Sequence, residues 1–414
     1  MVSSPSPPKD MEKPEALHPT NWEKASVARS VKASSKVALS MVLLVGAGLM
    51  ARSFTELSRV DPGFETENRL MATMQMPRGK YTNGESRVTF YREMMEHLAA
   101  LPGVRGVGAV SRIPIRGSTN TQWFMYEGQD SEEARRNPSA LHNSASPGYF
   151  DAMGIPVLAG RPFADADTAA ATRVALINDV AADHYFPEGD VLGRRITFDA
   201  EEWWEVVGVV GSVRHFELDV PPELQVYVPY EQVPSGRLSI VLHTQGDPAA
   251  MASQLRSEIR SIDPDQALYD LMPMTDSLAE SIWQIGFFTN LIRIFALIAA
   301  VIAAVGIYGV TSYAVSRRTQ ELGVRMALGA ERAHIMRMVI RQSMTVVLIG
   351  VVIGLALAAA QGAALQAMLY EVSGADPLTF ATVVGLVFGV SLLAAWLPAR
   401  RATRLDPVMA LRDQ

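Results

Sequence analysis

The sequence predicts an α-helical membrane protein of about four spans, with an α+β extracytoplasmic domain inserted between the first span and the second. Three observations lead there. Charged residues make up only 19% of the 414 residues, below the usual share for soluble domains, and the apolar residues gather in long runs. Four of those runs approach the roughly 20 apolar residues that a helix needs to cross the hydrocarbon core. Between the first run and the second, residues 55–285 alternate strand-like and helix-like patterns.

The four runs occupy residues 36–54, 286–313, 338–360 and 378–397. The first is the shortest and competes with a signal-peptide reading, in which the small residues near Leu49–Ala51 form a cleavage zone. Its polar leader is longer than an ordinary n-region, which favours an uncleaved anchor. Lys and Arg in the short flanks set the orientation. Lys24, Arg29, Lys32 and Lys36 precede the first span. Arg317, Arg318, Arg325, Arg332, Arg337 and Arg341 lie between the second and third, and Arg400, Arg401, Arg404 and Arg412 follow the fourth. The loop 361–377 has no Lys or Arg and carries Glu371 and Asp376. One topology satisfies all of this. Both termini are cytoplasmic, 55–285 lie outside, 314–337 form a cytoplasmic loop, and 398–414 form a cytoplasmic tail. Residues 1–35, rich in Pro, Ser, Lys and Glu, are expected to be a mostly disordered cytoplasmic leader.

Within 55–285 the two ends share one order. Leu70–Met76 reads as a strand, Val88, Tyr91, Met94, Leu98 and Leu101 fall at helical spacing, and Val104–Val110 reads as a second strand. Near the other end Leu238–Thr244 reads as a strand. Asp247 and Pro248 sit where an N-cap and first helical residue belong, and Met251, Leu255, Ile259 and Ile262 make an apolar face before Ala267–Met272. Two βαβ-like units thus bracket a β-rich middle, which predicts one subdomain built from both ends and a second lobe inserted in it.

Composition narrows the chemistry. The net charge of −6 comes without a stripe of Lys and Arg, so no nucleic-acid partner is indicated, and with no cysteine there is no disulfide framework and no thiolate metal site. His97, His142, His184, His215 and His243 are scattered, with no HExxH pair, and neither a GxSxG elbow nor a GxxxxGK[ST] phosphate loop occurs. Glu132–Glu133 and Glu201–Glu202 read as solvated faces. Trp203 and Trp204 read as a strand edge with one ring buried and one partly exposed, more readily than as an aromatic ligand wall. No catalytic, cofactor-binding or metal residue is expected.

The stretch SRRTQELGVRMALGAERAHIMRMVIRQS (Ser316–Ser343) carries the most information. It is too charged to cross the bilayer, since one charge at a helix centre costs roughly 2.5–3.5 kcal/mol on the insertion scale. Leu322, Met326 and Leu328 can line one side of a short helix, with Arg318, Glu321 and Arg325 on another and Gly329 as a stop. A second helix from about Glu331 runs directly into the third span. On the residues alone two readings stand: a rigid element that turns a push from a cytoplasmic partner into movement of the span, or an interfacial helix anchored by arginines at the headgroups.

Four motifs in order resemble the MacB/FtsX-like ABC transporter permeases. QELGVRMALGA (Gln320–Ala330) is similar to that family's signature, as is the tail WLPARRATRLDPVMALR (Trp396–Arg412). SPGYFDAMGIPVLAGRPF (Ser146–Phe163) and VVGVVGSVRHFELDVPPELQVYVPYEQ (Val206–Gln232) look like segments of its periplasmic core domain. The likeness covers roughly Lys36 to the last residue and is nearest to the second half of the duplicated permeases of acidobacterial type. It implies one helix, a large periplasmic domain and three further helices, in the bacterial inner membrane. It also implies a second permease copy and an ABC ATPase subunit that binds the ATP, with a periplasmic adaptor as a further candidate partner. The resemblance maps the ATPase contact onto Glu321, Leu322, Gly323, Arg325, Gly329 and Ala330. This chain departs from the pattern in having neither a fused nucleotide-binding domain nor a second permease copy, which raises a half-size or decayed permease as an alternative.

In the spans, Gly350 with Gly354 and Gly385 with Gly389 form two GxxxG pairs, expected to let helices pack closely. Arg293, near the outer end of the second span, is expected to snorkel to the interface. Two rivals to the permease reading remain at this level: a membrane-anchored scaffold or sensor that needs no ATPase, and a membrane-bound hydrolase, for which no constellation is found.

Overall fold

In a computed structural model the protein is described over residues 21–116, 120–134, 136–317 and 331–402. The chain divides into two compact units, one made of residues 1–55 and 287–414 and the other of residues 56–286.

The unit 56–286 is built on a twelve-stranded sheet. Its first part comprises β1 (Arg69–Gln75), α2 (Gly84–Ala99) and β2 (Val104–Val110), together with β11 (Arg237–Thr244), α6 (Ala252–Ile262) and β12 (Leu268–Pro273). The strand order β12-β1-β11-β2 shows that the two βαβ units interleave. β11 lies antiparallel between β1 and β2, and β1 lies antiparallel between β11 and β12. This is the split βαβ arrangement of ferredoxin-like folds. Local chemistry fixes the elements. Asn83 caps α2 by accepting from Ser86 N at 2.9 Å, and Phe90, Tyr91, Met94 and Leu98 turn one buried stripe toward the sheet. Leu255 and Ile259 do the same for α6. The expected helix start after Asp247 is a 3-10 turn at Pro248–Met251, with Asp247 accepting from Ala249 N.

The remaining strands continue the sheet in the order β5 (Ala140–Ala145), β10 (Gln225–Pro229), β7 (Val174–Asn178), β9 (Trp203–Val210), β8 (Arg195–Thr197) and β4 (Met125–Tyr126). β3 (Thr121–Gln122) pairs with β5, and β6 (Val157–Gly160) pairs with β9. Short helices α3 (Ser131–Ala134), α4 (Tyr149–Met153) and α5 (Asp179–Tyr185) sit in the connections. A second core forms here from Phe124, Ile177, Ile196, Trp204 and Val206 among others. Trp204 is buried and Trp203 half-buried, each beneath an arginine, Arg173 and Arg195. Their strand is not an edge, however. β9 lies between β7 and β8, because residues on both sides of it supply the pairing.

The other unit contains the four helices long and apolar enough to cross a membrane. They belong to α1 (Asn21–Leu57), α7 (Met274–Arg317), α8 (Arg332–Leu365) and α9 (Pro377–Ala402). Every helix is longer than the apolar run that revealed it. α7, at 44 residues, extends roughly 66 Å at 1.5 Å per residue, and its first turns fall within the unit 56–286. The expected disordered leader needs correction: helix begins at Asn21, not near residue 36. Ala33 and Ser34 are buried, and Ser34 Oγ donates to the Val346 carbonyl at 3.0 Å. Packing therefore carries the helix back past the apolar run. Residues 1–20 lie outside the described residues.

Candidate coupling region

The six residues mapped onto the ATPase contact, Glu321, Leu322, Gly323, Arg325, Gly329 and Ala330, lie outside the described residues. The two helix ends that hold this loop are described. α7 ends at Arg317, and α8 begins at Arg332 after the N-cap Glu331 and runs without a break through the third span. Val315 of α7, Ile335 and Val339 of α8 and Ala399 of α9 are all buried and form one small cluster. Just above it Thr311 and Ser343 share a hydrogen bond of 2.8 Å, while each also bonds back to its own helix, to Ile307 O and Val339 O. Arg401 donates to the Tyr308 hydroxyl at 2.9 Å. Three helices, α7, α8 and α9, thus pack together beside the residues that flank segment 318–330.

Farther along the spans, Gly350 and Gly354 face α1. A Cβ on Gly350 would lie 2.8 Å from Ser34 O and from Val37 Cβ, and one on Gly354 would lie 2.6 Å from Met41 Cβ. Side chains at four-residue spacing on α1, namely Val37, Met41, Val45 and Leu49, are wholly buried there. α1 is the packing centre of the unit: half of its most apolar window is buried, against 17% for α7. The second pair behaves differently. Among the described residues nothing lies within 4 Å of a Cβ on Gly385 or Gly389, so no described helix packs at the seam expected there. The buried side of α9 is instead the Val383, Val387 and Ala395 stripe. Arg293 is exposed and reaches Asn290 Oδ1 at 3.1 Å.

The ends of α1 and α9 remote from the basic segment carry a clamp that sequence reading missed. Arg52 Nη1 lies 2.6 Å from Asp376 Oδ2, and the same carboxylate accepts from Thr379 N and Oγ1 at 2.9 and 2.6 Å. Ser53 Oγ accepts from Tyr370 N at 2.8 Å. The Asp376-Pro377 pair, with Thr379 three positions beyond Asp376, is a helix-start signal that could have indicated the cap. The ion pair to Arg52, 324 positions away, leaves no local trace.

In the unit 56–286 the candidate acid–base groups are dispersed. His97 pairs with Glu258 at 2.7 Å, and Glu202 pairs with Arg173 at 2.6 Å. His142 is buried against Phe198, where desolvation and then the nearby Arg112 lower its pKa to about 4 and keep the ring neutral. Among the described residues no three His, Asp or Glu side chains gather as a metal site would need.

One helix, an inserted α+β unit and three more helices, the last three joined around a basic loop, define a polytopic membrane protein of the permease class. Residues 37–260 match the MacB-like periplasmic core domain and residues 293–407 match the FtsX-like permease C-terminal family. The chain belongs to the MacB/FtsX-type ABC transporter permeases. It is 23% identical over 353 residues to the uncharacterized ABC transporter permease YknZ of Bacillus subtilis (strain 168), covering 80% of this chain and 85% of that one. It is 28% identical over 297 residues to the macrolide export ATP-binding/permease protein MacB of Shewanella oneidensis, covering 66% of this chain and 43% of that one. The chain therefore spans less than half the length of that MacB. The crystal structure of the periplasmic region of MacB from Actinobacillus actinomycetemcomitans aligns with a TM-score of 0.38 at 15% identity, over 55% of this chain and 97% of that region. The matches and the four apolar helices make this an inner-membrane protein with a periplasmic-type domain.

Proposed function

We propose that this chain is the permease subunit of an ABC-type exporter or mechanotransmission complex. In this reading a separate ATPase binds the cytoplasmic loop through Glu321, Leu322, Gly323, Arg325, Gly329 and Ala330, and its ATP cycle moves the periplasmic domain. The observation that carries the reading is the joining of α7, α8 and α9 at the ends of that loop, through Val315, Ile335, Val339 and Ala399. A partner that pushes there acts on three helices at once. Both termini are cytoplasmic in this proposal, in keeping with the Lys and Arg of the flanks, and a second permease copy completes the membrane assembly. Hydrolysis belongs to the ATPase subunit; the two matched regions of this chain are a periplasmic core domain and a permease C-terminal region.

Co-purification from detergent with candidate ABC ATPases tests it, comparing wild type with a Glu321→Lys, Arg325→Glu double variant. Wild type is expected to capture an ATPase and raise its turnover, and the variant to do neither. If no ATPase binds, or the variant binds equally well, the chain acts as a membrane-anchored scaffold or sensor.

A further inference from the structure

The unit 56–286 contains a cleft of about 670 Å³ that the coupling mechanism does not use. One wall is the α2 stripe of Arg92, Met95, Glu96 and Ala99, and the other is the turn 164–168. The tilted, largely buried rings of Tyr91 and Tyr230, with centroids 4.2 Å apart, line its floor together with Val107. The volume is that of a small-molecule pocket, and five charged side chains share its lining with the apolar ones.

The charges select the occupant. Four carboxylates line the cleft, and two are spoken for. Both oxygens of Glu231 accept from Arg92 Nη2 at 3.0 Å, and Asp167 takes a two-pronged contact from Arg161 at 2.8 and 2.9 Å. Glu96 and Asp165 are exposed and in no ion pair among the described residues. With the two arginines neutralised by their partners, these two carboxylates leave the cleft negative above an aromatic, apolar lining. Among the described residues no three acidic or imidazole side chains gather there as a bare metal ion would need. The geometry points to a binding site for a small organic cation with an apolar body. Its charge sits between Glu96 and Asp165, and its body lies against Met95, Ala99, Val107 and the tyrosine rings. This inference does not rest on the coupling-loop reading, because binding is measured with no ATPase present.

The chain has no cysteine, so a single introduced thiol reports on one place. Ala99→Cys, on the exposed face of α2, is labelled with a maleimide in the full chain in detergent, with tetraphenylphosphonium as the probe. Tetraphenylborate, similar in size and opposite in charge, is the control ion, and Ala250→Cys, exposed and outside the cleft, is the control position. Tetraphenylphosphonium is expected to slow labelling at position 99 and not at 250, and tetraphenylborate to slow neither. Adding Glu96→Gln and Asp165→Asn should raise the half-protecting concentration about tenfold, the combined weight of two partly exposed charge contacts. Both substituted groups are exposed, so unchanged thermal melting is expected and confirms folding. The inference is overturned if both ions protect equally, if neither protects, or if the double substitution leaves protection by the cation unchanged.

Discussion

A Cβ placed on Gly354 would stand 2.6 Å from the Cβ of Met41 and 3.1 Å from the Cα of Ala38, so the α8 backbone packs onto the Met41 side chain and the Ala38 backbone of α1 with no room for a side chain of its own. Lipid supplies no hydrophobic drive for helix association, and close approach of backbones is what holds such pairs together. Gly354→Leu is therefore expected to destabilise the membrane unit by about 1–3 kcal/mol, the usual cost of overpacking. Gly385→Leu, with open space around it, should leave the melting temperature of the protomer unchanged. Melting in detergent followed by tryptophan fluorescence separates the two. Equal losses for both substitutions would sink the assignment of the seam to α1 and α8.

The clamp between Arg52 and Asp376 makes a second case. Arg52 is partly exposed and Asp376 nearly buried, so the pair sits between the surface and buried regimes. A double-mutant cycle with Arg52→Met and Asp376→Asn is expected to give a coupling energy of about 1 kcal/mol, near the upper end for exposed pairs. Asp376→Asn should cost more than Arg52→Met, since only the aspartate also caps α9 through Thr379. A cycle that closes to zero would show that the two residues act independently.

The buried carboxylate of Asp263 makes stability pH-dependent with a definite sign. Burial pushes its pKa up, but hydrogen bonds from Lys80 and Tyr81, both at 2.7 Å, and from Asp265 N prevail and hold it below the usual aspartate range. A carboxylate whose folded pKa is depressed adds stability above its unfolded value, about 3.9, and loses it as pH falls toward the folded value. Asp263→Asn should thus cost about 1–3 kcal/mol at pH 7, as for a buried group left with unsatisfied partners. The gap to wild type should narrow below about pH 4. Melting curves of both proteins from pH 7 to 3 check this, and a gap that stays constant would mean that charge plays no part.

How much of this was legible beforehand follows from the range of each interaction. The spans showed because twenty apolar residues in a row have few other uses, and the strands and helices at the two ends of 56–286 showed because their faces repeat at fixed periods. β5 was missed for the converse reason. Its residues His142, Asn143 and Ser144 are polar yet all buried, satisfied by partners such as Ser111 Oγ and the Val233 carbonyl, so no alternation marks the strand. The interleaving of β11 between β1 and β2 and the pairing of Arg52 with Asp376 join positions more than a hundred apart, which periodicity does not reach. The loop motif Gln320–Ala330 is legible by its likeness to a family, while the cluster at its flanks joins Val315, Ile335 and Ala399 across three helices and leaves no local pattern.

That cluster supplies the sharpest test of how force would travel. Ile335 is 1% exposed and packs in one cluster with Val315, Val339 and Ala399, yet it is not one of the residues proposed to meet the ATPase. If the loop binds the partner and the cluster passes the motion on, trimming Ile335 separates the two steps. Ile335→Val removes one methylene, a loss of about 0.5–1.5 kcal/mol, and Ile335→Ala a larger one of about 2–5 kcal/mol. Co-purification with the ATPase should be unchanged in both variants, while stimulation of its turnover falls modestly in the first and several-fold in the second. Loss of binding in step with loss of stimulation would mean that the cluster merely shapes the loop. Full stimulation in Ile335→Ala would mean that α7, α8 and α9 do not move as one at this end.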